Sequence, residues 1–270
     1  MERRKKIYIG TNTKMYKTTE QTVAFLKKLT ELTRDISRER MELFVLPSYT
    51  TLSSARESVP QKSIRLGAQN MGWEVQGQFT GEISPLMLRE AGVEIVMIGH
   101  SERRHVFRET DVEENKKVLC ALQHGFKPLL CVGETAEEKG FEITEEVLRT
   151  QLKVGFHGVT PEQAKAVWVA YEPVWAIGVN GVSAAKEYAD HIHMVIRNTL
   201  EERFGVEVGG DIPILYGGSV NLQNAQELIR MPYIDGLFIG RRAWDANNLN
   251  SIIRMVLPLF EEKRKEEAVL

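Results

Sequence analysis

"AVWVAYEPVWAIGVNGVSA", residues 166–184, stays apolar for six residues, reaches Glu172 and turns at Pro173. A strand that is apolar on both faces needs cover on both faces, which places it inside an α/β protein. Seven more runs share that character: "KIYIGTN" from Lys6, "MELFVLP" from Met41, "IRLGAQN" from Ile64, "VEIVMIGH" from Val93, "KPLLCVGE" from Lys127, "IPILYGG" from Ile212 and "IDGLFIG" from Ile234. Between them lie stretches with apolar residues three and four apart, such as "EQTVAFLKKLTELTRDI", "DVEENKKVLCALQHG" and "KEYADHIHMVIRNTLEERFG". Eight strand-then-helix units predict a (β/α)8 barrel, which typically takes about 250 residues. A doubly wound sheet fits less well, because no GxGxxG follows the first strand and no linker breaks the chain. One α/β domain over residues 1–270 is therefore expected.

The chain has 270 residues, 43% hydrophobic and 27% charged, with a formal charge of -2. That balance suits a cytoplasmic globular protein and gives no field for nucleic acid. The basic start "MERRKK" is followed by an apolar stretch too short for a signal peptide or a membrane span. Cys120 and Cys131 lack metal or redox spacing and read as reduced core residues. "HIH", His191 and His193, would point two ways on a helix, and "ETDVEE" suits a helix start, so no metal site is expected. The long polar loop from Met71 to Pro85 carries Trp73 and Phe79, read as exposed aromatics, and is expected to form a homodimer contact.

In such a barrel the active site lies at the carboxyl ends of the strands. Asn12 and Lys14 follow the first strand, His100 the fourth and Glu172 the sixth, while the glycine-rich "YGGSV" and "IGRR" follow the seventh and eighth. Glu172, between an apolar strand and an apolar turn, suits a general base that takes a proton from carbon. His100, just before a helix start at "SERR", suits a neutral imidazole donating to a carbonyl oxygen. Lys14 offers a cation to an anion or oxyanion. The two glycine turns offer backbone N–H groups to a phosphate.

"NTK", "GHSERR", "CVGET", "AYEPVWAIG" and "LYGGSV" together resemble, in order and spacing over nearly the whole chain, the triosephosphate isomerase family. That family's fold is the TIM barrel, and its glutamate base and neutral histidine are a worked example of tuned catalytic groups, so this logic arrives with the resemblance. The resemblance implies that Glu172 shuttles a proton between adjacent carbons, His100 polarises the carbonyl, Lys14 and Asn12 bind the oxyanion, and Glu102 supports them. It implies phosphate contacts at Gly178, Ser219 and Gly240, a mobile lid over Ala176 to Ala184, and no cofactor or metal. Three places depart from the usual pattern: Thr13 stands where Trp is usual, "GVNGVSA" replaces "GTGKTA", and Arg241 follows Gly240 where Gly is usual. "TGEISPLML" and "IDGLFIGRRAW" look most like the L-erythrulose 1-phosphate isomerases of erythritol catabolism. The triose phosphate reaction of glycolysis is the alternative, and a non-catalytic phosphosugar-binding barrel is the third reading. A smaller Thr13 and Asn180-Gly181 in the lid are expected to make room for a fourth carbon.

Overall fold

Alternation along the strands builds two cores. In the computed structural model, which describes residues 5–60, 62–178 and 181–267, eight parallel strands close into a barrel in sequence order. They are β1 (Ile7–Asn12), β2 (Met41–Leu46), β3 (Arg65–Ala68), β4 (Ile95–Ile98), β5 (Lys127–Val132), β6 (Trp168–Tyr171), β7 (Ile214–Tyr216) and β8 (Gly236–Phe238). Closure comes where β1 pairs with β8, Tyr8 opposite Gly236 and Gly10 opposite Phe238.

Side chains at every second position point to opposite faces. Tyr8, Phe44, Ile95, Met97, Leu129, Cys131, Trp168, Ala170, Leu215 and Phe238 form one buried cluster, the barrel interior. Trp168 packs edge-on against Tyr8 at 5.0 Å and near Phe44 at 5.4 Å, so the interior is filled and is no channel. The alternate residues, such as Ile9, Val96, Val132, Val169 and Ile239, join a second, larger cluster beneath the helices. This double burial is why the strands read as continuous apolar runs.

The helices are α1 (Thr19–Leu32), α2 (Leu52–Ser58), α3 (Pro85–Glu90), α4 (Ser101–His105), α5 (Asp111–Gln123), α6 (Ala136–Gly140), α7 (Thr144–Gly155), α8 (Pro161–Ala164), α9 (Lys186–Gly209), α10 (Ala225–Arg230) and α11 (Ala246–Glu267). Capping boxes start α1 at Thr18 with Gln21 and α5 at Thr110 with Glu113, so the acidic run "ETDVEE" is a helix start as expected. Within α9, Gly205 at φ 79° interrupts the helical backbone. None of the described helices is long and apolar enough to cross a membrane.

The 69–84 loop between β3 and α3 corrects one expectation. Phe79 is exposed, but Trp73 is half-buried and packs against the core, edge-on to Phe79 at 6.1 Å. Lys116 lies over the Trp73 ring at 5.2 Å, so α5 holds the base of the loop while its tip stays open.

Candidate active site

The carboxyl ends of the strands bring the expected residues together. Asn12, the last residue of β1, is buried, and its Oδ1 accepts the Lys14 N–H at 2.7 Å. That bond steadies Lys14 at φ 52°, an unfavourable region for a residue with a side chain. Ser48 Oγ and Gln69 Nε2 both donate to the Lys14 carbonyl, at 3.0 and 2.9 Å. So held, Lys14 Nζ reaches Glu102 Oε1 at 2.7 Å. Trp244 braces the same strand end by donating from Nε1 to the Asn12 carbonyl at 2.9 Å.

His100 caps the short α4, and its Nδ1 accepts the Glu102 N–H at 3.1 Å. An Nδ1 engaged as acceptor leaves the neutral imidazole's proton on Nε2. Nε2 faces Glu172 Oε1 at 3.5 Å, and Glu172 Oε2 accepts the Ser101 N–H at 3.1 Å. Both side chains are almost fully buried, 5% and 4% exposed, so the proton-bearing nitrogen and the carboxylate meet away from bulk water. Glu172 leaves no room for side chains on two neighbours: a Cβ on Gly133 would fall 1.9 Å from its carbonyl oxygen, and one on Gly217 2.9 Å from its Cγ. Only glycine fits at those two positions.

A cleft of about 260 Å³ opens beside these groups. Asn12, Lys14, Met97, His100 and Glu102 line it together with Tyr49, Glu82, Arg103 and Phe107. Thr13 does not line it. Thr13 is fully buried behind the wall, which corrects the expectation that its small size opens the cleft.

On the other side of Glu172, β7 and β8 present bare backbone. Among the described residues no acceptor meets the N–H of Ser219, Gly240 or Arg241. Adjacent strands carry these groups, since β7 pairs with β8 and Gly217 N–H bonds the Tyr171 carbonyl beside Glu172 at 2.7 Å. The Arg241 side chain is exposed. Gly178 is exposed at φ 92°. Val179 and Asn180 lie outside the described residues, so the part of the lid expectation that falls on them has no structural counterpart.

Glu134, in "CVGET" after β5, is a central group that the sequence alone does not single out. It is fully buried and accepts from Tyr171 Oη at 3.1 Å, Trp175 Nε1 at 2.7 Å and Tyr188 Oη at 2.9 Å. Burial pushes the Tyr188 hydroxyl up to about 12 and the Tyr171 hydroxyl up as well, so both remain donors near neutrality. Lys139 Nζ sits over the Trp175 ring at 3.5 Å. One carboxylate thus ties the residue before Glu172, the turn Val174–Ala176 after it, and the first turns of α9. The available signal was position: Glu134 ends an apolar strand just as His100 and Glu172 do.

Cys120 and Cys131 are both free and buried. Cys131 adjoins Glu172, and burial first, then the Glu172 charge, push its thiol up. His191 faces solvent by Glu145 at 3.1 Å, while His193 is buried with Nδ1 3.3 Å from the Tyr233 carbonyl, so the pair diverges as the helical spacing predicts.

A family model described as triosephosphate isomerase matches residues 7–256. The L-erythrulose-1-phosphate isomerase of Rhizobium etli is 43% identical over 252 residues, covering 93% of this chain and 92% of that protein. The triosephosphate isomerase of Solibacter usitatus is 44% identical over 250 residues, covering 93% and 99%. The crystal structure of triosephosphate isomerase from Bartonella henselae matches with a TM-score of 0.83 at 34% identity, covering 93% of this chain and 98% of that one.

Proposed function

The chain belongs to the triosephosphate isomerase family, and on that premise we propose that it isomerises L-erythrulose 1-phosphate to D-erythrulose 4-phosphate. As a member of that family it is a phosphosugar isomerase. The observation that carries the mechanism is the buried pair of His100 Nε2 and Glu172 Oε1, 3.5 Å apart, with the histidine's other nitrogen already engaged.

Glu172 takes the proton from the hydroxyl-bearing carbon next to the carbonyl. The C–H electron pair becomes the ene-diolate double bond, and the carbonyl pair moves onto oxygen. His100 donates its Nε2 proton toward that oxygen, and Lys14 offsets the negative charge. Glu172 then returns its proton to the former carbonyl carbon, and the neighbouring hydroxyl becomes the new carbonyl. To reach carbon, the carboxylate has to give up the Ser101 N–H it now accepts. The bare N–H groups of Ser219, Gly240 and Arg241 suit the phosphate, with Gly178 on the lid that closes over the intermediate.

The four-carbon reading rests on the sequence features shared with the erythrulose phosphate branch, including "IDGLFIGRRAW" with Arg241. Interconversion of D-glyceraldehyde 3-phosphate and dihydroxyacetone phosphate is the second reading, favoured by the 44% identity to a triosephosphate isomerase. The two need the same ene-diol, so kcat/KM on both substrates separates them: the four-carbon phosphate is expected to exceed the triose phosphate, and the reverse order overturns the assignment. Binding of a phosphorylated ene-diolate mimic without turnover of either would favour a non-catalytic barrel. A cytoplasmic setting fits the composition. Homodimerisation through the 71–85 loop is supported by exposed Phe79 on that loop and exposed Met87 in α3, with exposed Met15 and Phe107 lining the cleft. Sedimentation at rising concentration tests it.

A further inference from the structure

Arg104 stands in α4, one turn past His100, with its side chain 8% exposed. Each of its three nitrogens has a partner. Nε donates to the Gly99 carbonyl at 2.8 Å and Nη2 to the Cys131 carbonyl at 3.0 Å. Nη1 pairs with Asp111 Oδ1, and Nη2 also lies against Glu114 Oε2. Both carboxylates come from α5, and Glu114 is fully buried. Burial pushes the Glu114 carboxyl up to about 8, so near neutrality Asp111 is the main countercharge.

The two carbonyls belong to the ends of neighbouring strands, β4 and β5. Gly99 directly precedes His100 and sits at φ 76°, and a Cβ there would fall 2.9 Å from Arg104 Nη2 and 2.9 Å from Glu114 Oε2. The guanidinium is therefore in close contact with the residue that precedes the imidazole. On the β5 side the clamp reaches Glu172 in two ways. The residue after Cys131, Val132, accepts the Glu172 N–H at 2.7 Å, and the Cys131 thiol adjoins the Glu172 carboxylate inside the barrel.

We infer that Arg104 is a positioning residue that sets the spacing of His100 and Glu172 by bridging the ends of β4 and β5 from outside the barrel wall. The inference deepens the proposed isomerase reading and rests on it for its kinetic arm. A planar fork that holds two carbonyls and a carboxylate at once is a task a lysine ammonium cannot perform, although the charge is the same.

The test is Arg104→Lys in the full chain, with two readouts. The first is kinetic: kcat is expected to fall about 10²-fold while KM stays within about threefold, because a misplacement near 1 Å costs that much without removing a substrate contact. The second is the ¹⁵N resonances of the His100 ring at fixed pH, expected to shift as the Nδ1 bond to the Glu102 N–H is disturbed. A folded variant with kcat within about twofold of the parent and unmoved His100 resonances overturns the inference, as does a change in KM alone. If the parent turns over neither substrate, the isomerase reading has failed, and the ring resonances still decide the role of Arg104. Should Arg104→Lys not fold, Asp111→Asn loosens one arm of the clamp and is expected to give the same signature at about tenfold. An unaltered kcat and spectrum there overturns the inference equally.

Discussion

The two sides of the barrel mouth are built on opposite plans. On the β4 to β6 side every polar group of the candidate site already has a partner: His100 with the Glu102 N–H, Glu172 with the Ser101 N–H, Glu134 with three donors. On the β7 to β8 side, the N–H groups of Ser219, Gly240 and Arg241 meet no acceptor among the described residues. The contrast fits the two tasks proposed for these groups. His100 and Glu134 gain from being held before substrate arrives, since reorganisation during the reaction raises the barrier, whereas Glu172 has one bond, to the Ser101 N–H, to exchange for the substrate. Groups that bind an anion gain from being unoccupied, because a bond already made within the protein would have to be broken first.

Substitutions on the prepared side should cost turnover, and those on the open side should cost binding. Glu172→Asp withdraws the carboxylate by one methylene and is expected to lower kcat about 10³-fold with the fold retained, checked by steady-state rates alongside thermal unfolding. A loss confined to KM would erase the contrast. Glu134→Gln keeps the shape but removes the charge that three donors share, and should lower kcat/KM about tenfold by loosening Trp175 and the lid hinge, with Trp fluorescence reporting the change. On the open side, Arg241→Ala should raise KM about threefold and leave kcat near its parent value, an effect that shrinks with added salt because the guanidinium is exposed.

A separate effect concerns stability alone. Burial holds the His193 imidazole down to about 3, so it stays neutral in the fold while the unfolded chain protonates below the usual histidine value near 6.5. The unfolded state then binds the extra proton, and stability present above pH 6.5 is lost as pH falls toward 3, by about 1.4 kcal/mol per pH unit at most. His193→Gln should show a shallower fall in Tm between pH 7 and pH 4 than the parent. Parallel curves would show that His193 does not carry this dependence.

How much of this could be read in the sequence depended on where the signal lay. Strands buried on both faces give apolar runs, so β1 to β8 were visible, and a polar residue ending such a run stands out, as Asn12, His100 and Glu172 do. Glu134 ends a run too, but it precedes Thr135 and a helical start, where an acidic residue has an ordinary explanation. Its importance comes from Trp175 and Tyr188, 41 and 54 positions away, and a contact at that distance leaves no local pattern. Arg104 was hidden for the same reason: "SERR" shows two arginines, and only folding sends one to the β4 and β5 carbonyls while the other pairs with Glu109. Residue type alone shows neither that Thr13 is buried away from the cleft nor that Trp73 packs partly against the core.

The seam between β1 and β8 carries a consequence for how the catalyst comes into being. Asn12 and Lys14 are made long before Gly240 and Trp244, Asn12 and Trp244 being 232 positions apart, and the Ile239 N–H to Gly10 carbonyl bond of 2.8 Å joins the two strands with the Trp244 bond to Asn12. Until that join forms, Lys14 and the proposed phosphate-binding N–H groups after β8 are on separate edges of an open sheet. A half-made chain can hold sugar phosphate no better than any loose peptide, so activity should appear in one step at closure and not accumulate strand by strand during synthesis.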